Sequence, residues 1–139
     1  MTRALGIDLG EARVGVAISD ELGMLAHPLE TIAVKSTEPV ARIAEIAARD
    51  KIGTIVLGLP RNMDGTYGPA AEKSRAFAEK LRASTACVVK LWDERLTSVA
   101  AQRSLHEVGR NVKQSRAVID QVAAQLILQG WLDSQAMFG

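Results

Sequence analysis

The sequence predicts an α/β domain with one five-stranded mixed sheet flanked by helices. Residues 5–32 contain three short apolar segments separated by turn-forming residues. A helical period of 3.6 residues begins only after Thr37, and helix and strand patterns then alternate toward the C-terminus. This order predicts three antiparallel strands followed by two parallel additions.

The first three strands are predicted from alternation and from turn residues. Residues 5–9 and 14–19 flank a short turn and predict a hairpin. A third strand is predicted over residues 26–32. Pro28 marks it as an edge strand, because proline cannot donate a hydrogen bond within a sheet.

The remaining elements alternate. Thr37 is the expected N-cap of a helix that ends near Asp50. Residues 54–59 are apolar on both faces and predict a central parallel strand, and a fifth strand is expected over residues 87–92. The second helix is predicted from the stripe Ala70, Ser74, Phe77 and Leu81. A third helix is expected to begin at residue 97 or 98 and end at residue 108. The last is expected from near residue 115, with one face formed by Ile119, Val122, Ala123, Leu126, Ile127 and Gly130.

Composition limits the classes of protein that fit. A chain of 139 residues with 47% hydrophobic content predicts a single domain over residues 1–139. The formal net charge of +1 gives no global sign of a polyanionic partner. Cys87 is the single cysteine, which excludes a disulfide within the chain. The sequence has no apolar signal segment and no membrane-length apolar run, so we expect a soluble, cytoplasmic protein without a membrane partner.

Asp8 is the carboxylate within the first apolar segment, Gly6-Ile7-Asp8-Leu9-Gly10. Burying an unpaired carboxylate in a central strand is costly, so Asp8 should accept backbone hydrogen bonds or meet a cation. One interpretation is that it caps the turn at residues 10–13. The other is that it holds a divalent metal at the floor of a site.

The predicted order of elements matches the ribonuclease H-like architecture, and four motifs resemble the YqgF/RuvX family. They are Gly6-Ile7-Asp8-Leu9-Gly10, Gly58-Leu59-Pro60 with Asn62-Met63-Asp64-Gly65, Trp92-Asp93-Glu94-Arg95-Leu96-Thr97-Ser98, and Ile119-Asp120 followed by residues 123–130. The resemblance implies a nuclease that processes the 5′ end of precursor 16S ribosomal RNA. The alternative activity that the resemblance implies is cleavage of Holliday junctions or other branched DNA. The implied partners are these nucleic acids and ribosomal particles, with the protein acting as a monomer or homodimer.

Three acids meet the needs of metal-dependent hydrolysis. Two-metal cleavage of a phosphodiester requires carboxylates from different elements around hard cations about 4 Å apart. Asp8, Glu94 and Asp120 satisfy this requirement, and the resemblance implies the same acidic triad with Mg²⁺ or Mn²⁺, as two ions. Glu94 could instead pair with a neighbouring arginine, and Asp120 could simply face the positive end of its helix.

Two further acids lie beside these candidates. Asp93 competes with Glu94, because adjacent strand residues point to opposite faces. Asp64 is a possible fourth ligand, although an Asp-Gly pair is typical of a turn. The resolvases of the RuvC type carry their middle acid at the end of the fourth strand, where this sequence has residues 58–60, and transfer of junction specificity is therefore not implied.

Substrate binding is expected from local positive charge. Residues 95–116 carry a net charge of +4, and the rest of the chain carries −3. Such a segment attracts phosphates, although a solvated helix face with a flexible loop would have the same composition. The substrate-binding residues expected are Arg13, Arg61, Asn62, Arg95, Thr97, Arg110, Lys113 and Arg116.

Two other classes of protein compete with a nuclease. ATP-binding proteins of the actin, hexokinase and chaperone superfamily also begin with a Gly-Ile-Asp-Leu-Gly-like loop, but they enclose the nucleotide between two lobes, and this chain has the length of one. A noncatalytic ribosome-assembly factor could keep the fold and bind RNA through residues 95–116. Both remain alternatives at the level of sequence.

Overall fold

The computed structural model describes residues 2–62, 64–96 and 113–138 and contains one five-stranded sheet. The strands are β1 (Arg3–Leu9), β2 (Arg13–Ser19), β3 (Ala26–Ala33), β4 (Ile52–Leu59) and β5 (Val88–Asp93). Their order across the sheet is β3-β2-β1-β4-β5. The β1–β2 and β2–β3 pairs are antiparallel, whereas β1–β4 and β4–β5 are parallel. The predicted mixed sheet is therefore confirmed, with the Pro28 strand at one edge.

Three helices are described. They are α1 (Pro39–Arg49), α2 (Pro69–Ser84) and α3 (Lys113–Phe138). A short 3-10 turn, Glu94–Leu96, follows β5 directly. The helix predicted over residues 97–108 lies outside the described residues. No helix in the described ranges combines the length and hydropathy that crossing a membrane requires.

The sheet separates two apolar layers. On one face, α1 and α2 cover large buried side chains such as Leu5, Ile7 and Leu57. On the other face, α3 covers a smaller cluster that contains Ala124 and Leu128. Truncating a fully buried leucine or isoleucine of this kind typically costs about 2–5 kcal/mol. β1 therefore lies at the centre of the sheet, between the two apolar layers.

The buried face of α3 agrees with the predicted one at Ala123 and Ile127 and differs elsewhere. Its buried residues are Ala123, Ala124, Ile127, Leu128 and Leu132. The expected Ile119, Val122, Leu126 and Gly130 are only partly buried. The cause is close packing, because a Cβ at Gly6 would lie 2.6 Å from both the Ala124 carbonyl oxygen and the Leu128 Cβ. Small residues therefore face the sheet where the helix approaches β1.

Two local expectations about helices were wrong. Glu38, not Thr37, caps α1, since its Oε2 accepts a hydrogen bond of 2.6 Å from the Ala41 backbone nitrogen. Pro39 follows at the first helical position, which favours this start. In α2, Ala71 is buried and Ala70 is exposed. The other members of the predicted stripe, Ser74, Phe77 and Leu81, are buried as expected, so only its first residue was wrong.

Candidate active site

Four residues lie side by side across the centre of the sheet, on the face covered by α3. Asp8 pairs with Gly15 on β2, and Gly58 on β4 pairs with Trp92 on β5. Ile7 pairs with Leu57, so the next residues, Asp8 and Gly58, are also neighbours. We call Gly15, Asp8, Gly58 and Trp92 the Asp8 row. Its strands are about 4.8 Å apart, so the two glycines open space on both sides of the carboxylate.

Asp8 is 3% exposed and lies near the end of β1. The turn that follows is closed by its own backbone, because the Gly10 nitrogen donates to the Arg13 carbonyl oxygen at 3.0 Å. A Cβ at Gly10 would lie 2.5 Å from that same oxygen, so this turn requires glycine. The tight turn returns Arg13 to the neighbouring strand.

Asp120 of α3 lies directly over Gly15. A Cβ at Gly15 would overlap the backbone carbonyl of Asp120 and lie 3.1 Å from its Cβ. Arg13 is two residues from Gly15 on the same strand, and its Nε donates to Asp120 Oδ2 at 2.7 Å. The Asp120 side chain is 18% exposed. The close approach of α3 to β2 thus brings a second carboxylate, already paired with an arginine, beside Asp8.

Glu94 reaches the Asp8 row from the other side. It begins the 3-10 turn after β5, and its Oε1 lies 2.8 Å from the position that a Cβ at Gly58 would occupy. Next to Gly58 lies Trp92, whose buried Nε1 has no hydrogen-bond acceptor in the described part of the chain. An unpaired buried N–H donor is rare, and here it belongs to the strand residue that pairs with Gly58.

The three predicted acids therefore lie at or beside three adjacent positions of the Asp8 row, which are Gly15, Asp8 and Gly58. They do not yet form a closed metal cage, since the described residues contain no group of three or more His, Cys, Asp or Glu side chains placed to hold an ion. Asp120 is instead bonded to Arg13. Carboxylate oxygens are the donors that Mg²⁺ and Mn²⁺ prefer. Asp8, Glu94 and Asp120 therefore fit such an ion in their donor chemistry, while Asp120 is paired with Arg13 in this structure.

Asp93 has a different environment from Glu94. Its Oδ2 accepts hydrogen bonds of 3.1 Å from Arg61 Nη1 and from Arg95 Nη2, and its Oδ1 accepts one of 2.9 Å from the Arg95 backbone nitrogen. Burial raises the pKa of Asp93, but the bonds from both arginines and the charge of Arg95 more than offset this, so its pKa is lowered overall. Asp93 holds two of the predicted phosphate-binding arginines.

The loop between β4 and α2 is organised by its own side chains. Arg61 Nε donates to the Gly65 carbonyl oxygen at 3.0 Å, and Asn62 Nδ2 donates to Thr66 Oγ1 at 3.0 Å. Asp64 Oδ1 accepts from the Thr66 nitrogen and hydroxyl at 3.0 and 2.6 Å, and the hydroxyl bond lowers the pKa of Asp64. These contacts are those of a turn, with Gly65 at φ +87°.

The remaining predicted binding residues divide into two groups. Thr97 and Arg110 lie outside the described residues. Lys113 and Arg116 belong to α3, one to two turns before Asp120. The sequence analysis did not identify Gly15 as part of the site. Gly15 lies between two valines in a strand, and a glycine at such a position indicates that another part of the backbone approaches closely.

Sequence reasoning also missed the environment of Tyr67. The guanidinium carbons of Arg61 and Arg75 lie 4.5 and 4.3 Å from the centre of its ring. Such cation–π contacts help to hold the loop on α2. No sequence spacing indicates this contact, because the three residues come from a loop and a helix.

Comparison with known proteins gives one consistent result. A family model described as "RuvX: Holliday junction resolvase" matches residues 2–134. A relative from Myxococcus xanthus named "Putative pre-16S rRNA nuclease" is 50% identical over 133 residues, which cover 95% of this chain and 88% of the relative. A relative of the same name from Symbiobacterium thermophilum is 49% identical over 132 residues, covering 94% and 92%.

The fold is also that of a solved resolvase. RuvC from T. thermophilus, in complex with a Holliday junction substrate, aligns with a TM-score of 0.58 at 15% identity, over 98% of this chain and 96% of RuvC. Fold and relatives together define a nuclease of the ribonuclease H-like class. The chain belongs to the RuvX family.

Proposed function

We propose that this protein is a metal-dependent endonuclease that processes the 5′ end of precursor 16S ribosomal RNA in the cytoplasm, on ribosomal particles. The observation that carries the proposal is the Asp8 row, where glycines on both sides of Asp8 admit Asp120 and Glu94. The RNA substrate comes from the names of the relatives.

Each side chain has a separate role in this proposal. Asp8, Glu94 and Asp120 would hold Mg²⁺ or Mn²⁺, which supplies an activated water and stabilises the leaving oxygen when bound. Asp8 is fixed by the central strand, whereas Asp120 would give up its bond to Arg13 in order to hold the ion. The Arg13 guanidinium would then be available to bind a phosphate oxygen.

A second candidate substrate is a four-way DNA junction. The description of the matching family model favours it. RNA and DNA present similar phosphates to the three acids, so the distinction depends on contacts away from the scissile bond.

The decisive experiment maps cleavage products on precursor 16S RNA and on a four-way DNA junction, with and without Mg²⁺ or Mn²⁺. We expect Asp8→Asn, Glu94→Gln and Asp120→Asn to lower the rate by about 100-fold or more, because each removes a ligand of the ions. Glu79→Gln on the exposed face of α2 is the matched control and should cut normally.

Three results would contradict the proposal. If the protein binds precursor RNA but cuts neither substrate, it is a noncatalytic assembly factor. If Asp8→Asn cuts at the normal rate, the acids are not the site. Saturable ATP binding without nuclease activity would indicate the actin-like alternative.

A further inference from the structure

A cavity of about 910 Å³ opens on the side of β1 opposite Asp8. It lies between the end of β1, Pro60 and the N-terminal half of α2. Leu9, Pro69, Ala70 and Phe77 make much of its wall apolar, and Phe77 contributes an aromatic ring. The volume and the apolar walls are typical of a site for a small organic group.

Ser74 is the polar group in the wall of this cavity. The residue lines the cavity and is 2% exposed. A hydroxyl can donate and accept, so Ser74 suits a ligand whose edge carries hydrogen-bonding groups.

The rim of the cavity is positively charged. Lys73 and Lys80 both line it, two helical turns or about 10 Å apart on α2. Lys73 Nζ lies 2.9 Å from Glu11 Oε1, with side chains 63% and 86% exposed, and this hydrogen bond lowers the pKa of Glu11. An ion pair so exposed contributes little to stability, so an anionic ligand can replace Glu11.

We propose that this cavity binds one unpaired nucleotide of the polynucleotide substrate, with its base against Phe77 and Ser74 and its phosphates at Lys73 and Lys80. This inference rests on the proposed nuclease function. Leu9 is adjacent to Asp8 and points to the opposite face, so a strand cut at Asp8 reaches the cavity by passing Gly10.

The cavity implies a preference for single-stranded substrate beside the cleavage site. A base inside a duplex must leave its stack to enter the cavity, whereas an unpaired base is already free to do so. The part of the Phe77 ring that lines the cavity then gives the bound base an aromatic contact. A continuous duplex would leave the cavity empty.

Binding can be measured without turnover by NMR titration of the metal-free protein with adenosine 5′-monophosphate. We expect saturable shifts of the Gly10, Ser74 and Phe77 amides. The double variant Lys73→Gln/Lys80→Gln should weaken binding about 10-fold, and Ser74→Ala several-fold. Lys35→Gln/Lys90→Gln removes the same charge from exposed positions away from the cavity and should bind normally.

The outcomes separate this inference from the nuclease proposal. Asp8→Asn should bind the nucleotide normally although it cannot cut, so loss of cleavage alone leaves the cavity site standing. Absence of saturable shifts at the cavity amides would overturn the site. If inorganic phosphate alone gives the same shifts with the same affinity, the cavity binds an anion and no base, and the inference is wrong.

Discussion

Arg13 Nε donates to Asp120 Oδ2 at 2.7 Å and joins residues that are 107 positions apart. The bond closes the central β-hairpin onto α3 beside the Asp8 row. It also neutralises one of the three carboxylates while no ion is bound. In the proposed mechanism, Arg13 would therefore compete with the metal ion for Asp120 as well as stabilise the fold.

Replacing Arg13 tests this competition. Arg13→Gln should lower the free energy of unfolding of the metal-free protein by about 1 kcal/mol, because the pair is partly exposed. Added Mg²⁺ should then raise the melting temperature more than in the wild type, since the ion no longer displaces a guanidinium. Thermal unfolding with and without Mg²⁺ measures both effects.

The control for this experiment is Asp120→Asn. That variant also loses the ion pair, but it loses a ligand as well, so its response to Mg²⁺ should be smaller than that of the wild type. Equal responses to Mg²⁺ in wild type and Arg13→Gln would contradict the competition.

Gly15 should tolerate no side chain. A Cβ there overlaps the Asp120 backbone carbonyl, so Gly15→Ala must push α3 away from β2. We expect a loss of about 2–3 kcal/mol in the free energy of unfolding, together with loss of cleavage. Chemical denaturation and the cleavage assay measure the two effects.

Gly53→Ala is the matched control for this substitution. Gly53 also lies in a strand, but a Cβ there meets only Thr2, an exposed residue before β1, which must shift to make room. The loss should be smaller than at Gly15, with normal cleavage, because no helix has to move. If both glycines respond alike, the close packing of α3 on β2 is not the cause.

The stability of the protein should depend on pH through Glu30. Arg42 donates two hydrogen bonds to this carboxylate, at 2.9 and 2.8 Å, and thereby lowers its pKa. A carboxyl group with a lowered pKa stabilises the fold above its unfolded pKa, and this contribution is lost as the pH falls through the folded pKa. Acid should therefore destabilise the wild type.

Glu30→Gln removes that contribution. At pH 7 we expect it to lower the free energy of unfolding by about 1 kcal/mol, because both side chains are partly exposed. In acid, below the folded pKa, the variant and the wild type should approach the same stability. A constant difference between pH 7 and pH 3 would show that the loss is one of packing and not of charge.

The sheet could be predicted from sequence because its signals are local. Period-two alternation, the apolar β4 segment and Pro28 are each visible within a few residues. The buried face of α3 could not be predicted from sequence, because it depends on how closely the helix approaches Gly6 and Gly15. Helical periodicity records which residues are apolar, but the distance between backbones is set by a partner far away in the chain.

The candidate site was also predicted only in part. The motifs identified Asp8, Glu94 and Asp120 as candidate site residues, but they gave no indication that Arg13 bonds to Asp120. It also treated Arg61 as a phosphate ligand, whereas much of its guanidinium is bonded to Gly65 and Asp93. Such pairings depend on the folded geometry of loops, for which the sequence has no repeating pattern.

Asp93 and Glu94 should differ in kinetics although they are adjacent. Asp93 holds Arg61 and Arg95, so Asp93→Asn should release them and raise the KM for RNA about 5- to 10-fold, equivalent to about 1–1.4 kcal/mol. Its kcat should stay within about threefold of the wild type. Glu94→Gln removes a proposed metal ligand, so its kcat should fall about 100-fold or more. Steady-state cleavage of precursor RNA at saturating Mg²⁺ gives both constants, and circular dichroism checks that each variant folds. A comparable fall in kcat for Asp93→Asn would place Asp93 among the metal ligands and reverse the two roles.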